Sequence, residues 1–268
     1  LASRILRPVD SLVGTVEKVA EGDLTARTGI PGEGNELNYL AGAFDGMVER
    51  LQASFAVRQQ FVADASHELK TPLTSILAMS EMLELEQVTD AESGRRAVGA
   101  IAREAQRMNG LVNDLISLAR SEGAARGVVE TVRVDELASE LVEELRLFYP
   151  DRAVLVEGQA LVKAERESLR RLLRNLVENA LRYSALPVLV RLAPGSLQII
   201  DEGCGIAASD LPHVFERFYR ADSSRVRATG GSGLGLAIVK SLAEGFGGRV
   251  FIESKVGVGT TVGVTWDV

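Results

Sequence analysis

The chain has 268 residues, 46% hydrophobic and 25% charged, with a formal net charge of −7. That is enough apolar mass for ordinary cores, which excludes disorder by composition, and the acidic balance excludes a basic nucleic-acid surface. Cys204 is the only cysteine, so neither an internal disulfide nor a cysteine-rich zinc site can form. No apolar run approaches the roughly 18 residues of a membrane span, no signal peptide is visible, and an opening at Leu1 without methionine reads as a fragment with sequence upstream.

Three regions separate by periodicity. In residues 1–52, Ile5, Val9, Leu12, Val16 and Val19 repeat by four and three, and Leu37, Leu40, Phe44, Met47 and Leu51 by three and four. Both are seams of the coiled-coil kind, separated by EGDLTARTGIPGEGN, whose glycines and proline break a helix. Seams this short cannot bury themselves alone and require a partner chain. In residues 53–121, Val62, Leu69, Ile76 and Leu83 fall seven apart, with Ser66, Leu73 and Ser80 between them. After a break near EQVTDAESG, Val98, Ile101, Ala105, Met108, Val112, Leu115 and Ala119 form a second seam. Two such helices make an antiparallel hairpin, and two hairpins a four-helix bundle. The step from Leu51 to Val62 is eleven residues, a stutter that locally unwinds a supercoil.

Residues 122–130 read as a linker, within SEGAARGVVE. From 131 to 268 the pattern is mixed: helices at VDELASELVEELRLF, RESLRRLLRNLVENALRY and GLGLAIVKSLAEGF, and strands at Val154–Val156, Val188–Leu192, LQIID, RVFIES and TTVGVTW. This predicts an α+β sandwich with helices on one face of a mixed sheet.

His67 follows seam position Ser66, so it flanks the seam and is displayed. Thr71 lies one turn on along the same face, and Glu68 stands beside the histidine. Imidazole is nucleophilic near neutral pH and a carboxylate can take its ring proton. Pro72 removes an N–H and is expected to bend the helix just beyond. Taken alone, a surface histidine with no role is the better account of this stretch, because lone exposed histidines are common. In the third region Asn175 and Asn179 share a helix face, and amide oxygens suit a hard cation that keeps waters and phosphate as its other ligands. Asp201 ends an apolar strand and opens DEGCG, where Gly203 and Gly205 allow close approach to the backbone. GGSGLGLAIVK places glycines at the start of an apolar helix, whose free N–H groups favour phosphate. It lacks the Lys-Ser/Thr ending of a P-loop and follows no strand as a dinucleotide fingerprint would. An ordinary helix-capping glycine cluster accounts for that stretch but not for three such motifs in order.

HELKTP, NLVENALRYS, DEGCGI, FERFYR and GGSGLGLAIVK, in that order, resemble the H, N, G1, F and G2 boxes of a sensor histidine kinase of the HisKA class. The C-terminal region resembles the GHKL (Bergerat) ATP-binding fold. The first 52 residues resemble a HAMP linker, with Pro8 in its first helix and Glu36 opening its second. The resemblance implies an α plus α/β chain: a HAMP parallel coiled coil, a dimeric antiparallel four-helix bundle (the dimerisation and phosphotransfer domain), and an α+β sandwich binding ATP with Mg²⁺. It implies that His67 accepts phosphate with Glu68 as acid/base, and that Thr71 supports dephosphorylation of the regulator. Asn179 would ligate Mg²⁺ with Asn175 assisting. Arg182 would stand where a phosphate-contacting lysine is usual, Tyr183 would line the adenine pocket, and Asp201 would read the adenine amine. Gly203, Gly205, Gly231, Gly233, Leu234 and Gly235 would shape the nucleotide site, and Thr260 would close it behind Asp201. Phe215, Phe218 and Tyr219 fall in the lid with Arg217, Arg220, Arg225 and Arg227.

The implied partners are a second copy of the chain and a response-regulator receiver domain, with no nucleic acid. The implied place is the cytoplasmic side of the inner membrane, held by an upstream transmembrane segment. Glu202, where asparagine is common, Phe246, where histidine is common, and a short hairpin from Leu186 to Asp201 depart from the pattern without removing a catalytic group. His213 is expected in a short lid helix and Cys204 as a small filler of the pocket. A gyrase- or chaperone-like ATPase is disfavoured by asparagine at 175, where such enzymes tend to carry glutamate, and a non-catalytic dimeric scaffold by the intact boxes.

Overall fold

The computed structural model describes residues 2–30, 36–85, 90–122, 127–221 and 232–267. Gly231, Arg225 and Arg227 lie outside them, as do the side chains of Ile5 and Pro8. The chain divides into two compact units, Leu1–His67 and Glu68–Val268.

The first unit holds α1 (Ala2–Ala20), a connector, and the start of α2 (Glu36–Glu84). Connector and helices are joined by polar groups. Thr28, only 5% exposed, donates its N–H to Asp45 Oδ1 at 3.0 Å and its hydroxyl to Asp45 Oδ2 at 2.8 Å. Its carbonyl accepts from Ser11 Oγ at 3.0 Å. Among the described residues of this unit those buried within the single chain are Thr15, Thr28, Ala41 and Val48, while the seam residues Val9, Val16, Leu40, Met47 and Leu51 remain exposed. The connector covers a face beside the seams and leaves the seams themselves open.

No backbone break marks the expected boundary at 52/53, because α2 is one helix from Glu36 to Glu84. VERLQASFAVRQQFV (48–62) contains no glycine, proline or capping signal to stop it. The helix also continues through Pro72, which is buried. After the break, α3 runs Ala91–Glu122. Asp90 opens it, accepting from Ser93 N–H and Ser93 Oγ, both at 2.7 Å, which holds its carboxyl below the usual range. Among the described residues, no helix is long and apolar enough to cross a membrane.

The mixed region follows as β1 (Glu130–Arg133), α4 (Val134–Phe148), β2 (Val154–Gly158), β3 (Leu161–Ala164), α5 (Arg166–Tyr183), β4 (Val188–Ala193), β5 (Ser196–Asp201), α6 (Gly235–Gly245), β6 (Arg249–Lys255) and β7 (Gly259–Thr265). Five strands form one sheet in the order β2-β4-β5-β7-β6, parallel between β2 and β4 and antiparallel elsewhere. The alternating buried residues Val188, Val190, Leu192, Leu197, Ile199, Val262 and Val264 line its inner face. The apolar stripes of α4, α5 and α6 cover it: Leu137 and Leu141, Leu172 and Leu176, Ile238 and Val239. The strands β1 and β3 pair antiparallel as a separate ribbon. Four residues each, ETVR and LVKA carry too little alternation to announce themselves in sequence. Trp266 ties the ribbon to the main sheet by donating Nε1–H to Leu161 O at 3.0 Å.

Candidate functional site

The register of the sheet places Asp201 at the end of β5 in one row with Thr260 and Ser254. This row belongs to the same face as Ile199 and Leu197, so the carboxylate points toward the helices and is only 8% exposed. Gly203 N–H donates to Asp201 Oδ1 at 2.8 Å. Burial pushes the Asp201 carboxyl above its ordinary value, and the N–H groups of Gly203 and Thr260 oppose that rise.

Behind it lies a hydroxyl relay that the sequence did not suggest. Ser254 Oγ donates to Gly259 O at 2.8 Å, accepts Ile206 N–H at 2.9 Å, and lies 2.8 Å from Thr260 Oγ1. Since Ser254 gives its one proton to Gly259, Thr260 must donate to Ser254. Thr260 and Asp201 therefore both present acceptors beside each other, which suits an amine donor. The register pairing Ser254 with Thr260 was the available signal, but it is a property of the folded sheet.

Three glycines are required by close approach of the backbone. A Cβ at Gly203 would lie 2.5 Å from Tyr183 O, one at Gly205 2.1 Å from Lys255 O, and one at Gly233 within 2.9 Å of the Phe218 backbone. Gly233 also accepts Phe218 N–H at 3.0 Å, and Phe218 is the one non-glycine residue with positive φ among those described, at 60°. The glycine loop and the aromatic turn are thus clamped together. The segment around His213 forms successive turns and not the expected lid helix. Pro212 contributes no N–H there, and His213 Nδ1 pairs with Glu216 Oε1 at 2.8 Å.

Asn175 and Asn179 are half-buried on α5, one turn apart. Asn175 Nδ2 donates to Arg171 O at 2.9 Å, leaving its Oδ1 directed toward the start of α6, where a Cβ on Gly235 would come within 3.3 Å. Two amide oxygens on one face fit a hard cation whose remaining ligands are water and phosphate. No group of three His, Cys, Asp or Glu residues among those described could hold a metal by itself. Arg182 is exposed in the last turn of α5 and Tyr183 is half-buried, its carbonyl against the Gly203 turn. Leu234 is completely buried, so its side chain belongs to the core and only its backbone can face a ligand. Cys204 corrects its expected role as filler: it is exposed, held outward by its N–H to Tyr183 O at 3.4 Å and its carbonyl to Gly257 N at 2.9 Å.

Two further residues join this site unforeseen. Ser232 Oγ accepts Leu234 N–H at 3.2 Å and donates to Asp114 Oδ2 on α3 at 3.1 Å. The Asp114 carboxyl is raised by burial; the Ser232 hydroxyl, Arg171 and Arg182 act against that rise, and Glu178 adds to it. The phospho-acceptor candidates belong to α2. His67 and Thr71 are exposed there and Glu68 is half-buried. In that stretch the hydroxyls of Ser66 and Thr74 donate to the carbonyls of Val62 and Lys70 at 2.7 and 2.9 Å.

Known families match the chain in three successive segments. The HAMP domain matches residues 1–53, the His Kinase A (phospho-acceptor) domain 57–124, and the histidine kinase-, DNA gyrase B- and HSP90-like ATPase 164–268. The sensor histidine kinase YkoH of Bacillus subtilis (strain 168) is 36% identical over 272 residues, covering 98% of this chain and 59% of YkoH. The Acinetobacter baumannii histidine kinase AdeS shares the fold, with a TM-score of 0.58 at 22% identity over 75% of this chain and 98% of that one. Full-length ShkA in complex with AMPPNP gives 0.53 at 26% identity over 76% of this chain and 45% of ShkA. The chain spans 51–66% of the length of the curated relatives it matches. With its HAMP, phospho-acceptor and ATPase segments in that order, the chain belongs to the HAMP-containing sensor histidine kinases, a family of protein-histidine kinases.

Proposed function

We propose that this chain binds ATP beside Asp201 and transfers its γ-phosphoryl group to His67, from which the phosphoryl passes to an aspartate of a response regulator. The observation that carries the reading is the convergence of Asn175 on the glycine-opened start of α6, in the domain whose inner sheet row presents the Asp201 carboxylate. Asp201 and the acceptor face of Thr260 receive the adenine amine. The N–H groups at the start of α6 and the Arg182 guanidinium receive the phosphates. Asn179 and Asn175 would hold Mg²⁺, which when bound neutralises charge on the phosphates. The complex of ShkA with AMPPNP, an ATP analogue, supports a nucleotide in this fold.

In the transfer, an imidazole nitrogen of His67 forms the N–P bond as the bond from γ-phosphorus to the bridging oxygen breaks, and ADP leaves. Glu68 takes the proton from the other ring nitrogen and so favours the nucleophile. Positioning and charge neutralisation carry most of such a reaction. Thr71, one turn from His67, orients a water on the regulator's acyl phosphate and returns the regulator to its resting state. The reading extends to a homodimer placed on the cytoplasmic side of the inner membrane by a transmembrane segment of the whole protein.

Incubation with labelled ATP tests this. The expected product is a phosphoramidate, labile in acid and stable in base, absent from His67→Gln and lost with Asn179→Ala. Release of free phosphate with no labelled protein would replace the reading with a simple ATPase. In the same assay with a cognate regulator, Thr71→Ala is expected to keep labelling and transfer while slowing regulator dephosphorylation several-fold. Loss of all three together would assign Thr71 a structural role.

A further inference from the structure

The contact between α3 and the glycine loop is a built feature with a specific chemistry. Leu111, Asp114 and Leu118 lie on one face of α3, with the two leucines each 2% exposed and Ser117 buried beside them. This face meets α6, and Asp114 stands between its apolar anchors. Its Oδ2 accepts from Ser232 Oγ at 3.1 Å, and the same Ser232 oxygen accepts Leu234 N–H at the opening of α6. One turn of α3 is further fixed by Arg171 Nη2, which donates to Asn113 O at 2.8 Å. Asp114 therefore sits at the mouth of the glycine loop, in the field of Arg171 and Arg182 and opposed by Glu178.

These groups are what a nucleotide's phosphates need. An α-helix start with free N–H groups and nearby guanidinium groups attracts one set of negative charges, and a second set in a half-buried site is repelled. We propose that Asp114 is an internal anion that holds α3 on the glycine loop and competes with nucleotide phosphate, so that α3 docking and phosphate binding oppose each other. The proposal rests on the nucleotide-binding reading above and adds its regulation. Nucleotide loosens α3 from the loop, and by linkage any input that tightens α3 on the loop weakens nucleotide binding by the same factor. An acidic side chain thereby ties the occupancy of the ATP site to the state of the helical hairpin.

Calorimetry on the full chain with ADP and with adenosine, both with Mg²⁺, tests it. Asp114→Asn keeps an acceptor for Ser232 but removes the charge, and Asp114→Ala removes both. ADP is expected to bind each variant about fivefold to tenfold more tightly than the parent chain, with adenosine changed less than about twofold. Hydrogen exchange supplies an independent reading: in the parent chain, peptides spanning residues 111–118 should lose protection when ADP is added. Unchanged ADP affinity, an equal gain for adenosine and ADP, or unchanged α3 protection on ADP binding would each overturn the proposal. Failure of parent and variants alike to bind ADP would instead overturn the nucleotide reading beneath it.

Discussion

Asp201 works against its surroundings. It must be ionised to offer acceptors on both oxygens, yet burial favours its neutral form and only the N–H groups of Gly203 and Thr260 oppose this. The folded domain consequently holds this proton more tightly than the unfolded chain. Between the unfolded and the raised folded pKa the folded state binds more protons, so the contribution of Asp201 to stability falls as pH rises through that window. Ligand binding has the opposite trend. As pH falls through the raised value the carboxylate becomes a donor on one oxygen, and affinity for the adenine amine is expected to fall with it. At neutral pH Asp201→Asn should weaken adenosine binding about tenfold, the loss of one charge-assisted hydrogen bond of about 1.5 kcal/mol. The same substitution should flatten the acid limb of the adenosine affinity profile. An Asn variant whose profile tracks the parent's would show that another group receives the amine. At this scale the sequence was informative where a residue is local to its motif: Gly203 lies against the Asp201 carboxylate two residues before it, and Gly235 at the start of α6 lies against the Asn175 amide. Asp114 and Ser254 were invisible because their importance arises from partners 118 and 6 residues away across a folded interface or a strand register.

Elements show the same division. Helices α4 and α5 occupy Val134–Phe148 and Arg166–Tyr183, the stretches whose apolar periodicity marked them, because an amphipathic stripe against a sheet is written in spacing. The ribbon of β1 and β3 was not legible, since four-residue strands draw their stability from pairing and from Trp266 more than from their own pattern. The connector of the first unit was read only as a helix-breaking stretch. Folded, it is a clasp: Asp45 receives both the N–H and the hydroxyl of Thr28, which is almost fully buried. Removing the carboxylate would leave two buried donors unsatisfied. Asp45→Ala is therefore expected to cost about 2 kcal/mol, with Asp45→Asn intermediate because its amide oxygen still accepts one bond. Thermal denaturation followed by circular dichroism checks this against Asp10→Ala, an exposed control on α1. Equal effects of the Asp45 and Asp10 substitutions would mean that the clasp does not hold the connector.

For the whole molecule, the informative residues are apolar ones that the single chain leaves in water. Val9, Val16, Leu40, Met47 and Leu51 in the first unit belong to the seams found in sequence, as do Val62 and Leu73 farther along the chain, and all are exposed. Val62 is 62% exposed although it stands in a strict seven-residue series with Leu69, Ile76 and Leu83. Scattered apolar residues on a surface need no account, but a continuous seam on long helices does, because each exposed position repeats where a second helix would insert a knob. The Thr28 clasp does not cover these positions: it bonds to Asp45 and Ser11, and the buried apolar residues of α2 in this unit, Ala41 and Val48, each stand one residue past a seam position, Leu40 and Met47. A second copy of the same chain is the partner that offers the same seam in matching register, which is how closed two-fold assemblies form. Sedimentation at micromolar concentration is accordingly expected to show a dimer. Charges placed in the seam by Val62→Asp together with Leu73→Asp should shift it toward monomer while leaving adenosine binding, which depends on the Asp201 site, within about twofold. A parent chain that remains monomeric at these concentrations would refute pairing through the seams.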